Sequence, residues 1–215
     1  MGNSQVIGNN EAASIAETHR ILTAAGFNPL TDRALYIGLE VMIAGSTFDV
    51  PPRPPGVEPG TPSPVGGPLA PRLAAELERE GVPARNAPEV QWALKLALIA
   101  SDLDTANVGE RFIDFAASAS RLASEREMRL GRSLHDPVSG PPVLSFLTGG
   151  QERYFFELHR FCSDIGLRVF GPGKEANAPR VRAQSRRLNE RFSDPDSGYT
   201  GAEVIAAHTR FAEIP

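Results

Sequence analysis

The sequence contains a single cysteine, Cys162, which excludes a disulfide within the chain. It lacks any run of about 18 apolar residues, the length that a membrane-spanning helix needs. Its first residues show no basic stretch followed by an apolar one, so the pattern of a secretory signal is missing. These absences predict a cytoplasmic protein with no membrane partner.

An excess of basic residues is also missing. Lys and Arg number 22 against 26 Asp and Glu, and the formal net charge is −4. A chain with this balance has no overall positive field to attract nucleic acid or anionic lipid. Hydrophobic residues make up 41% of the chain, which is enough for a sizeable core and excludes general disorder.

Apolar residues recur mostly at helical spacing, and no useful stretch of strand-like alternation is present. The fold class predicted from this pattern is all-α. Helices are expected over residues 10–26, 31–45, 72–80, 87–107, 109–130, 150–170, 176–192 and, more weakly, 199–211.

Residues 51–71 hold nine prolines and four glycines, a composition that neither helix nor sheet can run through. The stretch is interpreted as an extended loop insertion, with a proline-motif ligand for a partner as the alternative. The predicted organisation follows from it: a helical pair over 1–50, the loop over 51–71, a main helical bundle over 72–192 and a tail over 193–215.

Two acids, Asp102 and Asp104, stand near the C-terminal end of an otherwise apolar helix. Carboxylates at that end face the negative pole of the helix dipole, which is unfavourable. A metal ion, an arginine or water should compensate at least Asp102, which follows the apolar face. The alternative is an Asp that ends the helix and caps the next turn.

The four histidines show no spacing typical of a zinc site. His19 and His159 lie beside apolar helix stripes, where a hydrogen-bonded boundary residue is the favoured interpretation and a ligand or catalytic role the alternative. Cys162 follows His159 by about one turn, so a nucleophile with its base is a third hypothesis, although simple packing is favoured.

Five arginines lie between residues 180 and 191. They could bind phosphate or nucleic acid, but no aromatic residues are interleaved. A solvated face, or salt bridges to acidic neighbours, is the favoured interpretation.

Several segments, read in order over about residues 9–177, resemble the later part of an HD-domain metal-dependent phosphohydrolase. The matching segments are 10–14 (Asn-Glu-Ala-Ala-Ser), 41–47 (Val-Met-Ile-Ala-Gly-Ser-Thr), 98–103 (Leu-Ile-Ala-Ser-Asp-Leu), 146–147 (Phe-Leu) and 154–156 (Tyr-Phe-Phe). The resemblance implies an HD-like helical bundle that lacks its first helices here.

The resemblance also implies a chemistry, in which an early His, a His-Asp pair and a distant Asp hold a divalent metal that activates water against a phosphoester. Asp102 would be the distant metal ligand, with Glu11 and Asp104 as polar groups near it. The other three ligands would precede residue 10, so the site is expected to be incomplete. Phosphorylated small molecules are the implied substrates.

A non-catalytic alternative reuses the fold as a helical scaffold or binding module. Loss of a helix pair would expose apolar core, which favours pairing with another chain and hence a homo-oligomer.

Overall fold

The computed structural model describes residues 9–49, 56, 66–79, 81, 87–194 and 197–214. These residues are mostly helical, which confirms the coarse fold class. The eight α-helices in this part of the chain are α1 (Asn9–Ala24), α2 (Arg33–Gly45), α3 (Leu73–Arg79), α4 (Pro88–Asp104), α5 (Phe112–Arg129), α6 (Gly140–Ser145), α7 (Asp164–Arg191) and α8 (Gly201–Ala212). Two short antiparallel strands, β1 (Phe48–Asp49) and β2 (Gly67–Pro68), pair with each other.

The chain divides into two compact units that are interleaved along the sequence. Unit 1 comprises residues 1–55, 63–105 and 158–168, and unit 2 comprises 56–62, 106–157 and 169–215. The organisation predicted from composition follows chain order, with divisions at residues 50, 71 and 192. The units instead group residues by contact, and residues 158–168 belong with the first half of the chain.

Unit 1 is built on the packing of α2 against α4. Its core consists of small and branched side chains: Val41, Ala70, Leu73, Ala93 and Ala97. A Cβ atom at Gly45 would lie 2.8 Å from the Cβ of Ala97, so the two helices approach at a point where only glycine fits. Small residues in both helices therefore allow a close crossing with a modest core.

Unit 2 has the larger side chains in its interior. Helices α5, α6 and α8 pack around Val143, Leu147, Leu188 and Val204, all of which are at most 2% exposed. The Phe115 and Phe155 rings meet edge to face, with their centroids 5.7 Å apart. Amphipathic helices with aromatic inner faces produce this core, as the periodicity of 109–130 predicts.

The end of the proline-rich stretch takes regular structure. Gly67 and Pro68 form β2, and residues 70–72 form a 3₁₀ turn that leads into α3. The prediction that the whole of 51–71 is an extended loop is wrong for these residues, because a two-residue strand and a 3₁₀ turn both tolerate proline. Residues 51–55 and 57–65 lie outside the described part of the chain.

The helices after residue 140 differ most from expectation. Helical structure begins at Gly140, continues through two π-helical segments at Phe146–Gly150 and Arg153–Leu158, breaks at 159–163 and resumes as α7. The helix predicted over 150–170 is therefore wrong as one continuous helix, since residues 159–163 divide it into two helical segments. The predicted helices leave residues 131–149 as a break, yet Pro141 and Pro142 lie in the first turn of α6, where proline is well tolerated.

Helix α7 also runs through residues 171–175, which the predicted helices over 150–170 and 176–192 leave between them. A Cβ atom at Gly173 would collide with the backbone of Gly109, and the Asn177 amide donates to the carbonyls of Val108 (2.9 Å) and Glu110 (2.8 Å). Tertiary contacts with the turn at 106–110 thus override the weak local helix propensity.

Candidate functional site

Asp102, the predicted metal ligand, is buried in the last turn of α4 with 1% of its surface exposed. Its Oδ1 accepts a hydrogen bond from the Cys162 backbone N–H at 2.6 Å. Its Oδ2 accepts from the backbone N–H of Ser163 at 2.8 Å and from the Ser163 hydroxyl at 2.5 Å. Both carboxylate oxygens are therefore engaged by donors that lie just before α7.

These hydrogen bonds compensate the unfavourable position of the Asp102 carboxylate at the C-terminal end of α4. Asp102 stands at the unfavourable end of α4, but it also faces the N-terminal end of α7, where free N–H groups and the helix dipole favour negative charge. The compensation comes from a second helix within unit 1. Asp102 thus caps the start of α7, although it lies about 60 residues earlier in the chain. Its carboxylate takes the place that a bound anion would occupy at an uncapped helix N-terminus.

Ser163 and Gly166 complete the contact. The Ser163 hydroxyl accepts from the Gly166 N–H at 3.0 Å, the bond of an ordinary N-cap, while donating to Asp102. A Cβ atom at Gly166 would collide with the Asp102 carboxyl group, so glycine at this position lets the two helices approach. Ser163 followed by Asp164 is a helix-start signal that lay inside the wrongly predicted helix over 150–170.

The segment 158–163 is fixed on its other side by residues that precede α3. Arg160 Nη2 donates to the Gly66 carbonyl at 2.7 Å. Gly67 has φ +92°, and a Cβ atom there would lie 2.5 Å from the Leu158 carbonyl oxygen. Contacts from 66–67 and from α4 therefore hold residues 158–163 in place.

His159 is buried and contacts the hydroxyl of Thr105. Its Nε2 lies 3.0 Å from Thr105 Oγ1, and that hydroxyl donates to the Ser101 carbonyl at 3.0 Å. Since the single hydroxyl proton is used there, Nε2 must carry the proton that joins His159 to Thr105. The favoured interpretation of a hydrogen-bonded core histidine agrees with this geometry.

The Cys162 thiol is poorly suited to nucleophilic chemistry. Burial, with a further contribution from the Asp102 carboxylate, raises the pKa of Cys162 to about 11. The thiol lies 3.9 Å from Ser101 Oγ and donates to the Arg160 carbonyl at 3.7 Å. At neutral pH the reactive thiolate is therefore scarce.

The remaining predicted residues make other contacts within unit 1. Partial burial and the nearby Glu11 carboxylate both raise the pKa of Asp104, so these two acids share one region. His19 Nε2 lies 2.6 Å from Glu40 Oε1 across the α1–α2 packing, and its ring meets Tyr36 edge to face. The structure thus joins Asp104 with Glu11 and His19 with Glu40, while Asp102 belongs with residues 162–166.

The surroundings of Asp102 do not fit a metal ligand. An ion bound there would face N–H and O–H donors, whereas a hard divalent cation requires oxygen or imidazole acceptors. Among the described residues, no group of three or more His, Cys, Asp or Glu side chains is placed to hold a metal. The divalent metal implied by the resemblance stays an untested prediction.

Unit 2 contains two buried polar contacts that the sequence did not reveal. His208 is 1% exposed, its Nδ1 lies 3.0 Å from Ser120 Oγ, and burial lowers its pKa to about 4. Glu127, also 1% exposed, meets Arg132 through two contacts, at 3.0 Å (Oε1–Nη2) and 2.7 Å (Oε2–Nε). Ser120 and Arg132 each lie outside the helix that holds the buried residue they contact. The periodicity of a single helix therefore could not predict either pair.

The arginines of α7 make contacts within the chain. Arg180 stacks 4.5 Å over the Phe112 ring and donates to the Ala212 carbonyl at 3.0 Å. Arg182 lies 4.3 Å over Phe156, and Arg186 Nε is 3.8 Å from Glu190 Oε1. Arg180 and Arg182 are thus held by cation–π contacts with aromatic rings of the same chain.

In the described ranges, every helix is too short or too polar to cross a membrane. Comparison with known proteins found no matching protein family, no matching curated protein and no matching solved structure.

Proposed function

We propose that this chain is a non-catalytic helical scaffold or binding module, in which Asp102 serves as a structural acceptor. The observation that carries the proposal is that both oxygens of the buried Asp102 carboxylate accept hydrogen bonds, three in all, from Cys162 and Ser163. A buried carboxylate in this setting fixes the start of α7 and leaves little capacity for an ion or substrate.

The resemblance to HD-domain phosphohydrolases is compatible with this role. A relative that reuses an HD-like bundle, with Asp102 in the position of the distant ligand, would keep the aspartate for its structural contact. Hydrolysis of a phosphoester, with a divalent metal, stays the competing proposal. It lacks support from the geometry, because neither Asp102 nor Cys162 is in a reactive environment.

Metal content and turnover test the proposal. The purified chain is incubated with Mn²⁺, Mg²⁺ or Zn²⁺, desalted, and assayed for bound metal and for hydrolysis of bis(p-nitrophenyl) phosphate. We expect neither stoichiometric metal nor turnover from the wild type, from Asp102→Ala or from the matched variant Asp104→Ala. Turnover that is lost in Asp102→Ala and retained in Asp104→Ala would overturn the proposal in favour of the hydrolase.

A further inference from the structure

The sequence holds two lysines, Lys95 and Lys174, among 22 basic residues, and all the others are arginines. An arginine side chain stays charged throughout the pH range of proteins, whereas a lysine amine can lose its proton when it is buried and then act as a nucleophile. Lys95 is exposed on α4, and Lys174 is half-buried in α7. Burial therefore distinguishes the chemical environment of Lys174 from that of Lys95.

The helix backbone around Lys174 is held against the turn at 106–110. A Cβ atom at Gly173 would collide with the carbonyl of Gly109, so the helix and the turn are in close contact directly before Lys174. Three residues after Lys174, the Asn177 side chain donates to two carbonyls of the same turn, at 2.9 Å and 2.8 Å. The Lys174 side chain therefore starts from a rigid point of α7, which limits where its amine can lie.

The amine of Lys174 lies over a buried aromatic ring of unit 2. Its Nζ is 5.2 Å from the centre of the Phe155 ring, and Phe155 is 1% exposed. The Phe155 ring meets those of Phe115 and Phe156 at centroid distances of 5.7 Å and 5.0 Å. Phe155 also belongs to the π-helical segment Arg153–Leu158, and short π-helical turns occur frequently at functional sites. On this side the amine therefore faces an aromatic cluster and not water.

The other cations that lie over aromatic rings in the described ranges are arginines: Arg126, Arg180, Arg182 and Arg191. An arginine at position 174 would make a cation–π contact as well, so that contact alone does not account for a lysine there. The ring face favours the ammonium form of Lys174, whereas burial favours the neutral amine. Burial prevails and lowers the pKa of Lys174 to about 8, so near this pH about half of the side chains are free amines.

We propose that Lys174 is a site of covalent modification, at which the amine held over Phe155 accepts an acyl group from a small acyl phosphate. A small donor suits a half-buried amine, and an anionic one is favoured because Arg182 lies 4.3 Å over the adjacent Phe156 ring. The inference goes beyond the proposed scaffold function, since it gives the module a residue that is modified.

The reaction forms an amide at Lys174. The lone pair of Nζ attacks the acyl carbon, and the bond between that carbon and the phosphate oxygen breaks. Phosphate leaves with the electron pair of that bond, and the proton of the attacking amine passes to water. The product is a neutral amide, which costs less to bury beside Phe155 than the ammonium does.

Treatment of the full native chain with acetyl phosphate at pH 8 tests the site, with acetylation of each lysine measured by mass spectrometry of its peptide. Lys95 is the internal control, because it is exposed and the sequence holds no third lysine. We expect Lys174 to react about tenfold faster than Lys95, since its larger fraction of free amine outweighs its partial burial. In urea the two rates should be equal. A native rate at Lys174 that is no faster than at Lys95 overturns the inference.

The pH profile of acetylation separates a reactive amine from one that is merely accessible. The rate at Lys174 should rise up to about pH 8 and then level off, whereas the rate at Lys95 should keep rising about tenfold per pH unit up to pH 9. Parallel profiles at the two lysines would show that Lys174 is an ordinary amine and would also overturn the inference. The assays of metal content and turnover do not involve Lys174, so failure of the modification site is distinguishable from failure of the scaffold proposal.

Discussion

The backbone N–H of Ser163 donates to the carboxylate of Asp102 at 2.8 Å, across 61 residues of sequence. The Asp102 carboxylate therefore lies at the C-terminal end of α4, which disfavours negative charge, and at the N-terminal end of α7, which favours it. Residues 159–163 run between two helical segments without helical structure of their own, and Asp102 accepts hydrogen bonds from two of them, Cys162 and Ser163. Four predictions are open to measurement, two on the surroundings of Asp102 in unit 1 and two on buried polar groups of unit 2.

The first prediction concerns the close approach of Gly166 to Asp102. Gly166→Ala would drive a methyl group into the carboxyl group, so we expect a loss of about 1–3 kcal/mol in the free energy of unfolding. The matched variant is Gly149→Ala, at a helical glycine with open space around its Cβ position, and it should be neutral or slightly stabilising. Urea denaturation measures both. Equal effects of the two substitutions would contradict the close approach.

The second prediction concerns Cys162. Because the pKa of its thiol is raised from 9.0 to about 11, the thiolate fraction at pH 8 is about 100-fold below that of an ordinary cysteine. Iodoacetamide should therefore modify the folded chain about 100-fold more slowly than the chain unfolded in urea. A folded-state rate equal to or above the unfolded one would revive the hypothesis that Cys162 is a nucleophile.

These two predictions show what sequence reasoning could and could not reach. The dipole argument required a compensating group for Asp102, because that depends only on its place in α4. It named a metal ion, an arginine or water, whereas the observed donors are two backbone N–H groups and a serine hydroxyl. The compensating group could not be identified, since Ser163 is distant in sequence and lay inside a helix predicted over 150–170. Helices with strong periodicity, such as 109–130, were predicted within a few residues.

The misplaced helix has a physical cause. Phe155, Leu158, Cys162, Ile165 and Val169 follow helical spacing, yet Ile165 and Val169 are 54% and 61% exposed. Donation by residues 162–163 to Asp102 and the contact of Arg160 with Gly66 interrupt the helix, and spacing alone carries no information about either. In α2, likewise, Leu35 follows helical spacing with Leu39 and Met42, yet it is 38% exposed while Val41 lies in the core.

The third prediction is a pH dependence that originates at His208. Its pKa in the folded state is about 4, against 6.5 when unperturbed, so the unfolded state binds the proton more readily. Stability is fully present above pH 6.5 and is lost as pH falls towards 4, by up to about 3 kcal/mol.

The measurement is urea denaturation between pH 4 and pH 7 for the wild type and His208→Gln. The variant lowers stability overall, but the difference between the two proteins should shrink as pH falls. A difference that is constant across this range would contradict a buried, neutral His208.

The fourth prediction concerns the ion pair of Glu127 and Arg132. Arg132→Ala leaves a buried carboxylate without its partner, and we expect a loss of about 2–3 kcal/mol because Arg132 itself is partly open to solvent. The double variant Glu127→Leu with Arg132→Ala should lose less than the sum of the single changes. Strict additivity in this double-mutant cycle would show that the two side chains do not interact.

The structural role of Asp102 is tested most directly by the thermal stability of the wild type and Asp102→Ala, each with EDTA and with saturating Mn²⁺. We expect Asp102→Ala to be about 2–4 kcal/mol less stable in both conditions, because it leaves the Cys162 and Ser163 donors unsatisfied. The wild type should be equally stable with and without the ion. A rise in wild-type stability with Mn²⁺ that disappears in Asp102→Ala would contradict the account, since a ligand that binds the native state must stabilise it.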